Sequence, residues 1–310
     1  MKIFVTGGSG FIGFNLVKHL LKAGHQVVVF GRFNKLKAIS HINCRYIDAE
    51  FNHISEYEDE FKNVDVVYHL LSTTTPKTSN EDVVNDLLSN VKNTIHLLDI
   101  CVKYKIKRFI FTSSGGTVYG LSNHDKPLKE SDFTNPICAY GISKLSIEKY
   151  IYMYGYQYNL SYQILRIANP YGPYQNPWAN QGAIAVFMGK VLNEQPVEIW
   201  GDGTIYRDYI YINDVVEALY SSMLVDKSNN VLNIGSGEKY SLNEILDIIK
   251  KITKKELLIN YIPSRKIDAP GNILDITDAK KVLGWEPKVS IENGIAKNWE
   301  WLIDFYKYKV

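Results

Sequence analysis

The sequence contains little cysteine: three residues among 310, at Cys44, Cys101 and Cys138. They are odd in number and far apart, and no two of them form the close pair that a metal site needs. We therefore expect neither a disulfide framework nor a bound metal. Scattered cysteines of this kind are typical of proteins in a reducing compartment, so we predict a cytoplasmic protein.

Excess charge and long apolar runs are also absent. The 35 basic and 33 acidic residues leave a net charge of +2, which favours neither a nucleic acid nor a membrane surface as a partner. No apolar run approaches the ~18 residues of a membrane-spanning helix, and the chain begins in a strand-like segment, which we expect to leave no room for a signal peptide. With 45% hydrophobic residues, the chain has enough apolar side chains for a large core.

What the sequence does contain is a glycine loop directly after an apolar strand. Gly7, Gly10 and Gly13 follow the apolar residues 3–5, and Phe11 and Ile12 open an apolar-periodic helix. One glycine allows a tight turn, one lets a pyrophosphate approach the backbone, and Gly13 lets the helix pack closely on the strand. Because loop amides and a helix N-terminus attract an anion, these residues predict a dinucleotide site. The alternative is a glycine-rich turn without a ligand.

Strand-like and helix-like stretches alternate through the first half of the chain. Strands are predicted at residues 3–6, 26–30, 45–47, 64–71, 108–113 and 162–167, and helices at 12–23, 83–104, 143–158, 182–193, 213–225, 242–253 and 291–306. The alternation predicts an α/β fold with a doubly wound parallel (Rossmann) sheet and a smaller C-terminal α/β substrate-binding region. We place the dinucleotide-binding domain at residues 1–168 and the second domain at 169–310, with about 205–235 returning to the first.

A tyrosine and a lysine that can share one face of a helix give the second signal. Tyr140 and Lys144 are four residues apart at the start of a helical stretch. A free phenol has a pKa of about 10, but a nearby ammonium favours the phenolate. The pair can therefore move a proton while a nicotinamide moves a hydride. The alternative is a solvated helix face.

Hydroxyl side chains follow the predicted fifth strand. Ser113, Ser114 and Thr117 lie in a glycine-containing segment before Val118-Tyr119-Gly120. Hydroxyls at the carboxyl end of such a strand can hydrogen-bond a substrate oxygen, whereas the alternative is the capping of a turn.

With these motifs, the chain resembles the extended short-chain dehydrogenase/reductase family, in the branch of nucleotide-sugar epimerases, dehydratases and 4-ketosugar reductases. The resemblance implies that Tyr140 is the acid/base, that Lys144 holds the nicotinamide ribose, and that a hydroxyl of residues 113–117 holds the sugar O4. Ser114 is the expected third catalytic residue. Further cofactor contacts implied by the resemblance are Asp48 near adenine, Leu70, Leu71, Ser72 and Asn90.

The second half of the chain adds further matches. By resemblance, the substrate nucleotide and its diphosphate would lie against Asn169, Arg207, Tyr209, Arg265 and Asp268. Two arginines suit a pyrophosphate, because guanidinium groups match pairs of phosphate oxygens. The alternative for each arginine is a surface ion pair. The resemblance also implies a homodimer formed through the helix that carries Lys144, on which Tyr152, Tyr154 and Tyr156 lie.

One departure from the family concerns the cofactor. An acid is expected at the end of the second strand, where it binds the adenosine ribose 2′-OH. That strand instead runs into Gly31 and Arg32, with Lys35 and Lys37 nearby. A carboxylate would repel a 2′-phosphate and a guanidinium would bind one, so NADP(H) is favoured. NAD stays possible if Arg32 stacks on adenine.

A second departure concerns the hydroxyl segment. Many family members have a serine at the position of Gly115, which has no hydroxyl. Thr117 and Ser113 are therefore alternatives to Ser114 as the group that reaches the sugar. The segment also has no Asp-Glu pair of the kind that dehydratases of this family use, which argues against a dehydratase.

We expect an NADPH-dependent reductase of a nucleotide-linked 4-keto-6-deoxyhexose, with dTDP as carrier, because net reduction fits an NADP(H) pocket. The alternative is a UDP-hexose 4-epimerase that retains NAD. A hypothesis of another class is a dinucleotide-binding sensor or scaffold without catalysis, which the presence of both Tyr140 and Lys144 argues against.

Overall fold

The strands and helices follow the alternation of the sequence closely. The computed structural model describes residues 1–32, 44–121, 126–179, 181–226, 229–264 and 271–307. In chain order the strands are β1 (Lys2–Thr6), β2 (Gln26–Gly31), β3 (Arg45–Asp48), β4 (Val66–His69), β5 (Arg108–Ser114), β6 (Tyr162–Ile167), β7 (Asn169–Tyr171), β8 (Val197–Trp200), β9 (Tyr206–Arg207), β10 (Tyr209–Tyr211), β11 (Asn230–Ile234), β12 (Tyr240–Ser241), β13 (Ile259–Ile262) and β14 (Gly271–Asn272).

The helices lie between these strands. They are α1 (Phe11–Lys22), α2 (Val83–Asp86), α3 (Asn93–Lys103), α4 (Ala139–Tyr158), α5 (Ala183–Leu192), α6 (Ile212–Leu224), α7 (Leu242–Thr253), α8 (Thr277–Leu283) and α9 (Ile291–Lys307). Two 3-10 segments, Phe51–Phe61 and Thr78–Asn80, complete the first half.

The helix predicted over residues 83–104 is irregular. Between α2 and α3 the chain forms a π-helical segment, Leu87–Lys92. Side chains there bond to backbone oxygens four residues earlier: Asn90 Nδ2 to the Asp86 oxygen at 3.0 Å and Asn93 Nδ2 to the Ser89 oxygen at 3.0 Å. Such side-chain bonds compete with the regular helix ladder, and π segments are frequent at functional sites.

The central sheet has seven parallel strands in the order β11-β6-β5-β4-β1-β2-β3. The chain starts in the middle at β1, adds β2 and β3 on one side, and then crosses to β4, β5 and β6 on the other. This is the predicted doubly wound fold. In such a sheet, ligands bind outside the carboxyl ends of the strands at the point where the winding direction reverses, which is between β1 and β4.

Both faces of the sheet are buried. Ile3 and Val5 of β1 belong to one core cluster and Phe4 to the cluster on the other face, because successive strand residues point in opposite directions. Burial on both faces explains why the strands are continuous apolar runs instead of alternating ones.

The region after residue 168 is interleaved with the sheet. β11 pairs with β6 and therefore belongs to the central sheet, and α6 packs against α1. The rest forms small sheets, β7 with β10, β8 with β13, and β12-β9-β14. The two halves of the chain thus share one framework at the carboxyl edge.

In the described part of the chain, no helix is long and apolar enough to cross a membrane. The three cysteines are free thiols, two of them buried. The cytoplasmic location stays a prediction.

Candidate active site

The glycine loop lies at the carboxyl ends of β1, β2 and β4. The Gly7 amide donates to the Phe30 oxygen at 2.8 Å, and a Cβ on Gly7 would lie 2.7 Å from the Leu71 nitrogen. Gly7 also has a φ of +74°, which glycine adopts without strain. A Cβ on Gly13 would lie 2.2 Å from the Gly7 oxygen. Glycine is therefore needed at both positions for α1 and the end of β4 to pack on the loop.

The N-terminus of α1 faces this loop. Gly10 is the N-cap residue, no side chain caps the helix, and no acid lies in its first turn. The Phe14 amide donates to the Gly10 oxygen at 2.8 Å, so the amides of Phe11, Ile12 and Gly13 precede the first intrahelical bond. The predicted loop residues thus come together as an anion-binding cradle.

The end of β2 lies beside the same loop. The Ser9 hydroxyl donates to the Arg32 oxygen at 2.9 Å. A Cβ on Gly31 would lie 3.5 Å from Ser9 Oγ, so position 31 is open toward the loop. The exposed carboxylate of Asp48 projects from the residue that pairs with Gly31 in β3. One basic and one acidic residue, Arg32 and Asp48, therefore lie at the ends of the two neighbouring strands on this side of the cradle. Lys35 and Lys37 lie outside the described residues.

The segment after β4 joins the cradle to the irregular helix. The backbone of Leu70 and Leu71 packs on Gly7, and Ser72 is exposed, with its hydroxyl donating to the Thr74 oxygen at 2.9 Å. Asn90 is buried, and its Oδ1 accepts from the Thr73 amide at 2.9 Å.

Asn90 is committed to contacts inside the protein. Its Nδ2 also donates to the backbone and carboxylate of Asp86, at 3.0 and 3.2 Å. The side chain of Asn90 therefore holds the segment after β4 in place. Its predicted contact with the cofactor stays a prediction.

The start of α4 is fixed by side chains from the preceding 3-10 turn. The Ala139 amide donates to Asn80 Oδ1 at 2.9 Å, and the Tyr140 amide donates to Ser79 Oγ at 3.0 Å. These bonds satisfy two of the amides that a helix N-terminus leaves unpaired. These two bonds fix where α4 begins, and with it the position of Tyr140 at the carboxyl edge of the sheet.

Lys144 lies against the end of β5. It is 5% exposed, its Nζ donates to the Thr112 oxygen at 2.9 Å, and Nζ is 5.6 Å from the ring centroid of Tyr140. Burial lowers the pKa of Lys144 to about 8, against the opposing effect of the carboxylates of Asp86 and Glu148. The lysine thus lies close to the tyrosine, as the helical spacing predicts.

The pKa of Tyr140 differs from the expectation. Burial raises the pKa of Tyr140 to about 12, with the neighbouring Cys138 and Asp86 as smaller causes. In the protein without ligands, the ammonium of Lys144 therefore does not bring this pKa below its ordinary value, because loss of hydration dominates.

The three candidate hydroxyls point to different places. Ser113 is buried and donates to Glu148 Oε1 at 2.5 Å, so its hydroxyl is engaged inside the protein, and its predicted contact with the substrate stays a prediction. Strand alternation explains its direction: Ser113 points to the same face as Phe109 and Phe111, toward the core beneath α4.

Ser114 and Thr117 are the other two candidates. Ser114 Oγ and Asn169 Oδ1 each lie 4.0 Å from the place where a Cβ on Gly116 would be, so Ser114 and Asn169 flank one open space. Thr117 packs against Gly141, and its Oγ1 is buried without a hydrogen-bond partner in the described chain. An orphaned hydroxyl next to the start of α4 fits a ligand-binding role.

Gly115 has a packing role. A Cβ there would lie 2.5 Å from Leu274 Cδ1 and 3.2 Å from the Arg166 oxygen. A serine at this position would thus meet Leu274, unless that segment moved.

The predicted substrate contacts beyond β6 come from two paired strands. Asn169 in β7 donates from its amide and from Nδ2 to the Asp208 oxygen, each at 3.0 Å. Arg207 is half-buried, and its guanidinium donates to the Tyr206 oxygen at 2.7 Å. Tyr209 is buried in the core, which leaves little of its side chain for a ligand.

Arg265 and Asp268 lie outside the described residues. Asp208, in the same sequence motif as Arg207, is fully buried and accepts from the Ser236 and Leu274 amides at 2.7 and 3.2 Å. It ties β9 and β10 to the loops around them.

Residues 3–235 match the model of a family described as the NAD dependent epimerase/dehydratase family. The chain belongs to this family. The match confirms the resemblance inferred from the glycine loop and the Tyr140–Lys144 pair, and it makes the protein an enzyme of the extended short-chain dehydrogenase/reductase type.

Relatives in this family act on nucleotide sugars. The crystal structure of UDP-glucose 4-epimerase with UDP-glucose from Thermotoga maritima has a TM-score of 0.94 and 36% identity, over 98% of this chain and 99% of that chain. The Thermus thermophilus UDP-glucose 4-epimerase in complex with NAD has a TM-score of 0.91 and 29% identity, over 97% and 98%. The dTDP-4-dehydro-6-deoxyglucose reductase of Escherichia coli is 33% identical over 95% of both chains.

The residues of this chain fit NAD, the cofactor named for the family. The loop leaves no room for a Cβ at Gly7 or Gly13, α1 begins without a cap or an acid, and Thr117 carries an orphaned hydroxyl. Each of these features suits a bound dinucleotide or the substrate of the enzyme.

Two buried acids near Lys144 escaped the sequence interpretation. Glu148 accepts from Arg166 at 3.0 Å (Nε) and 2.7 Å (Nη2), and Arg166 Nη1 donates to Tyr119 Oη at 3.0 Å. Asp86 accepts from Ser143 Oγ at 2.5 Å. Spacing along α4 gave a signal for Glu148, four residues after Lys144, whereas nothing in the sequence pointed to the pairing of Asp86 with Ser143.

Proposed function

We propose that this protein is a UDP-hexose 4-epimerase that retains its NAD through each turnover. The observation that carries the proposal is the placement of the Tyr140–Lys144 pair beside Thr112 at the end of β5. The glycine cradle follows β1, and the open space between Ser114 and Asn169 follows β5 and β6, so both lie at the same carboxyl edge of the sheet as this pair. The likeness to two UDP-glucose 4-epimerase structures supports the choice of reaction.

The reaction needs a base that later acts as an acid at one oxygen. In the first step Tyr140 takes the proton of the sugar 4-hydroxyl while the C4 hydrogen leaves as hydride, which converts the alcohol to a ketone. In the second step the hydride returns to the opposite face of C4 and Tyr140 returns the proton to O4, which restores the alcohol with inverted C4. Bound NAD supplies the hydride acceptor, and its positive charge favours the tyrosinate. Tyr140 keeps the proton between the two steps, so the reaction is balanced without an external reductant.

The other residues position and stabilise. The Thr112 oxygen holds Lys144, whose ammonium favours the phenolate of Tyr140. This effect prevails once a bound ligand hydrogen-bonds to the Tyr140 oxygen in place of the water that burial removes. Ser114 and Thr117 are the donors for the developing charge on O4. Asn169 and Arg207 are assigned to the diphosphate, which a guanidinium binds well.

The test is a cofactor-free assay. Purified protein is incubated with UDP-glucose without added nucleotide cofactor, and the products are separated by anion-exchange chromatography. We expect interconversion with UDP-galactose and one equivalent of NAD released on denaturation. Protein that contains no NAD and converts neither sugar would sink the proposal.

A second candidate is the reductase of a dTDP-linked 4-keto-6-deoxyhexose, with NADP(H) as cofactor. The observation that favours it is at Gly31, next to Arg32, where the side chain is absent and the position is open. A carboxylate at this position would repel a 2′-phosphate, and the glycine does not. The Escherichia coli reductase supports it as a relative. Stoichiometric oxidation of NADPH by the ketosugar, followed at the nicotinamide absorbance, would establish this reaction in place of epimerisation.

A homodimer is part of the proposal. Tyr152 and Tyr156 on α4 and Leu88 on the π-helical segment are exposed apolar side chains. Tyr154 instead donates to Asp99 Oδ1 at 2.5 Å within the same chain, so it is left out of the proposed interface. Light scattering of the Tyr156→Lys variant is expected to show a larger monomer fraction than for the unmodified protein.

A further inference from the structure

Asp86 is a buried carboxylate in contact with the helix that carries the reactive pair. It is 1% exposed. Its Oδ2 accepts from Ser143 Oγ at 2.5 Å, and its Oδ1 accepts from Asn90 Nδ2 at 3.2 Å and from the hydroxyl of Thr74. Both carboxylate oxygens thus have hydrogen-bond partners, as buried polar groups require.

The position of this carboxylate is set by the irregular helix. Asp86 ends α2, immediately before the π-helical segment. Asn90 lies four residues later and bonds both to the Asp86 backbone and to its carboxylate. The π-helical segment therefore brings Asn90 against one carboxylate oxygen of Asp86, while the other oxygen accepts from Ser143.

Ser143 connects Asp86 to the reactive pair. It lies between Tyr140 and Lys144 on α4, and its hydroxyl donates to Asp86. The negative charge of Asp86 raises the pKa of Lys144 against burial, and it raises the pKa of Tyr140 as well. Asp86 thus acts on both members of the pair without replacing either.

A second acid, Glu148, acts on Lys144 from its own helix, but it has a cationic partner. Arg166 donates to both of its carboxylate oxygens, at 3.0 and 2.7 Å. The opposite charge of Arg166 offsets much of the field that Glu148 exerts on its surroundings. Asp86 holds its place by neutral donors, and its effect on the pKa of Lys144 is larger than that of Glu148.

The other groups near the pair carry no competing charge at neutral pH. His69 in β4 packs against Phe111, and burial together with the charge of Lys144 holds its pKa well below the ordinary value. Burial raises the pKa of the Cys138 thiol at the start of α4. The Thr112 oxygen in β5 accepts from Lys144. Asp86 is therefore the main uncompensated charge that opposes the desolvation of Lys144.

We propose that Asp86 is a positioning residue that keeps Lys144 in its ammonium form and in place beside Tyr140. It acts from the end of α2, next to the π-helical segment, and through Ser143. The inference rests on the roles proposed for Tyr140 and Lys144, but the charge state of Lys144 is measurable without catalysis.

The variant Asp86→Asn removes the charge at nearly constant shape. Asp82→Asn is the matched control, because Asp82 is an exposed carboxylate at the N-cap of the same helix and asparagine caps a helix as well as aspartate does. Proteins containing ¹³C-lysine are titrated by NMR, with the Lys144 signal assigned by its absence in Lys144→Met.

We expect the titration midpoint of Lys144 to fall by about one pH unit in Asp86→Asn, which is a tenfold change in the ammonium fraction above the midpoint. The control is expected to match the unmodified protein. In the variant, the alkaline limb of kcat/KM should move to lower pH by the same amount.

An unchanged midpoint in folded Asp86→Asn overturns the inference, since a purely structural role would lower stability without moving it. If Asp86→Asn lacks the native circular dichroism spectrum, Asp86→Ser takes its place and the same fall is expected. Absence of epimerase or reductase activity in the unmodified protein would contradict the proposed function and leave the NMR result standing by itself.

Discussion

The ammonium of Lys144 donates to the main-chain oxygen of Thr112 at 2.9 Å, which fixes the side chain of one helix to the carboxyl end of β5. A main-chain acceptor cannot be removed by mutation of its side chain, so the anchor of Lys144 is insensitive to the identity of residue 112. The proton chemistry then depends on Tyr140 and on the charge state of Lys144.

Replacing Tyr140 by phenylalanine removes the group that moves the proton. We expect kcat to fall by at least about 100-fold, the usual contribution of a general acid/base, while the folded state and nucleotide-sugar binding persist. Tyr152→Phe is the control, because Tyr152 is on the same helix and 62% exposed. Turnover by Tyr140→Phe close to that of the control would show that another group is the acid/base.

The pH dependence follows from Lys144. Burial lowers its pKa from 10.5 to about 8, so kcat/KM, which reports the free enzyme, is expected to fall as the pH rises through about 8. Between about 8 and 10.5 the unfolded chain holds a proton that the folded chain has released, so the contribution of Lys144 to the free energy of unfolding rises with pH. A parallel loss of folding, measured by urea denaturation, would assign the fall to another cause.

The serines at 113 and 114 should separate in their effects. Ser114→Ala is expected to lower kcat by about 100-fold if its hydroxyl stabilises charge on the sugar oxygen, with little change in melting temperature. Ser113→Ala removes a donor to buried Glu148 and is expected to lower the free energy of unfolding by about 1–3 kcal/mol, with a smaller effect on kcat. If Ser113→Ala lowered kcat and Ser114→Ala lowered the free energy of unfolding, Ser113 would be the residue that acts on the sugar and Ser114 the structural one.

Cofactor preference should depend on Arg32. Arg32→Ala is expected to weaken NADPH by about tenfold more than NADH, since a guanidinium–phosphate bond is charge-assisted. Dissociation constants from fluorescence titration of both cofactors give the comparison. Equal losses would mean that Arg32 contacts a part common to both, such as the adenine.

The pair of Glu148 and Arg166 should matter for folding. Both side chains are at most 5% exposed, and loss of one charge leaves the other buried and unpaired. Glu148→Gln is expected to lower the free energy of unfolding by about 3–5 kcal/mol. Glu256→Gln, which removes the exposed partner of Lys250, serves as control, and similar losses in both would contradict a special role for burial.

The sequence predicted the elements that depend on local patterns. β6 is observed at Tyr162–Ile167 and α7 at Leu242–Thr253, the same bounds as the predicted elements, because apolar periodicity and the turn residues around it decide where such elements begin and end. The glycine loop was predictable for the same reason, since its residues are adjacent in the chain.

Contacts between distant segments were out of reach. Ser143 and Asp86 are 57 residues apart and meet only because α4 packs on the irregular helix. The direction of Ser113 was only partly predictable. Alternation along β5 places Ser113 on the face of Phe109 and Phe111, opposite Ile110, but both faces of this strand are buried. Only the packing of α4 on one face decides that Glu148 accepts from the Ser113 hydroxyl.

The backbone at Gly31 limits how cofactor preference can be redesigned. Its φ of +150° is a conformation that residues with a Cβ rarely adopt. Introducing an aspartate there, the obvious route toward an NAD-selective enzyme, would combine the electrostatic gain with conformational strain at the end of a central strand. A protein engineer would do better to leave this glycine and change Ser9, whose hydroxyl borders the same space, or Arg32, the next residue in the chain, since neither has a positive φ.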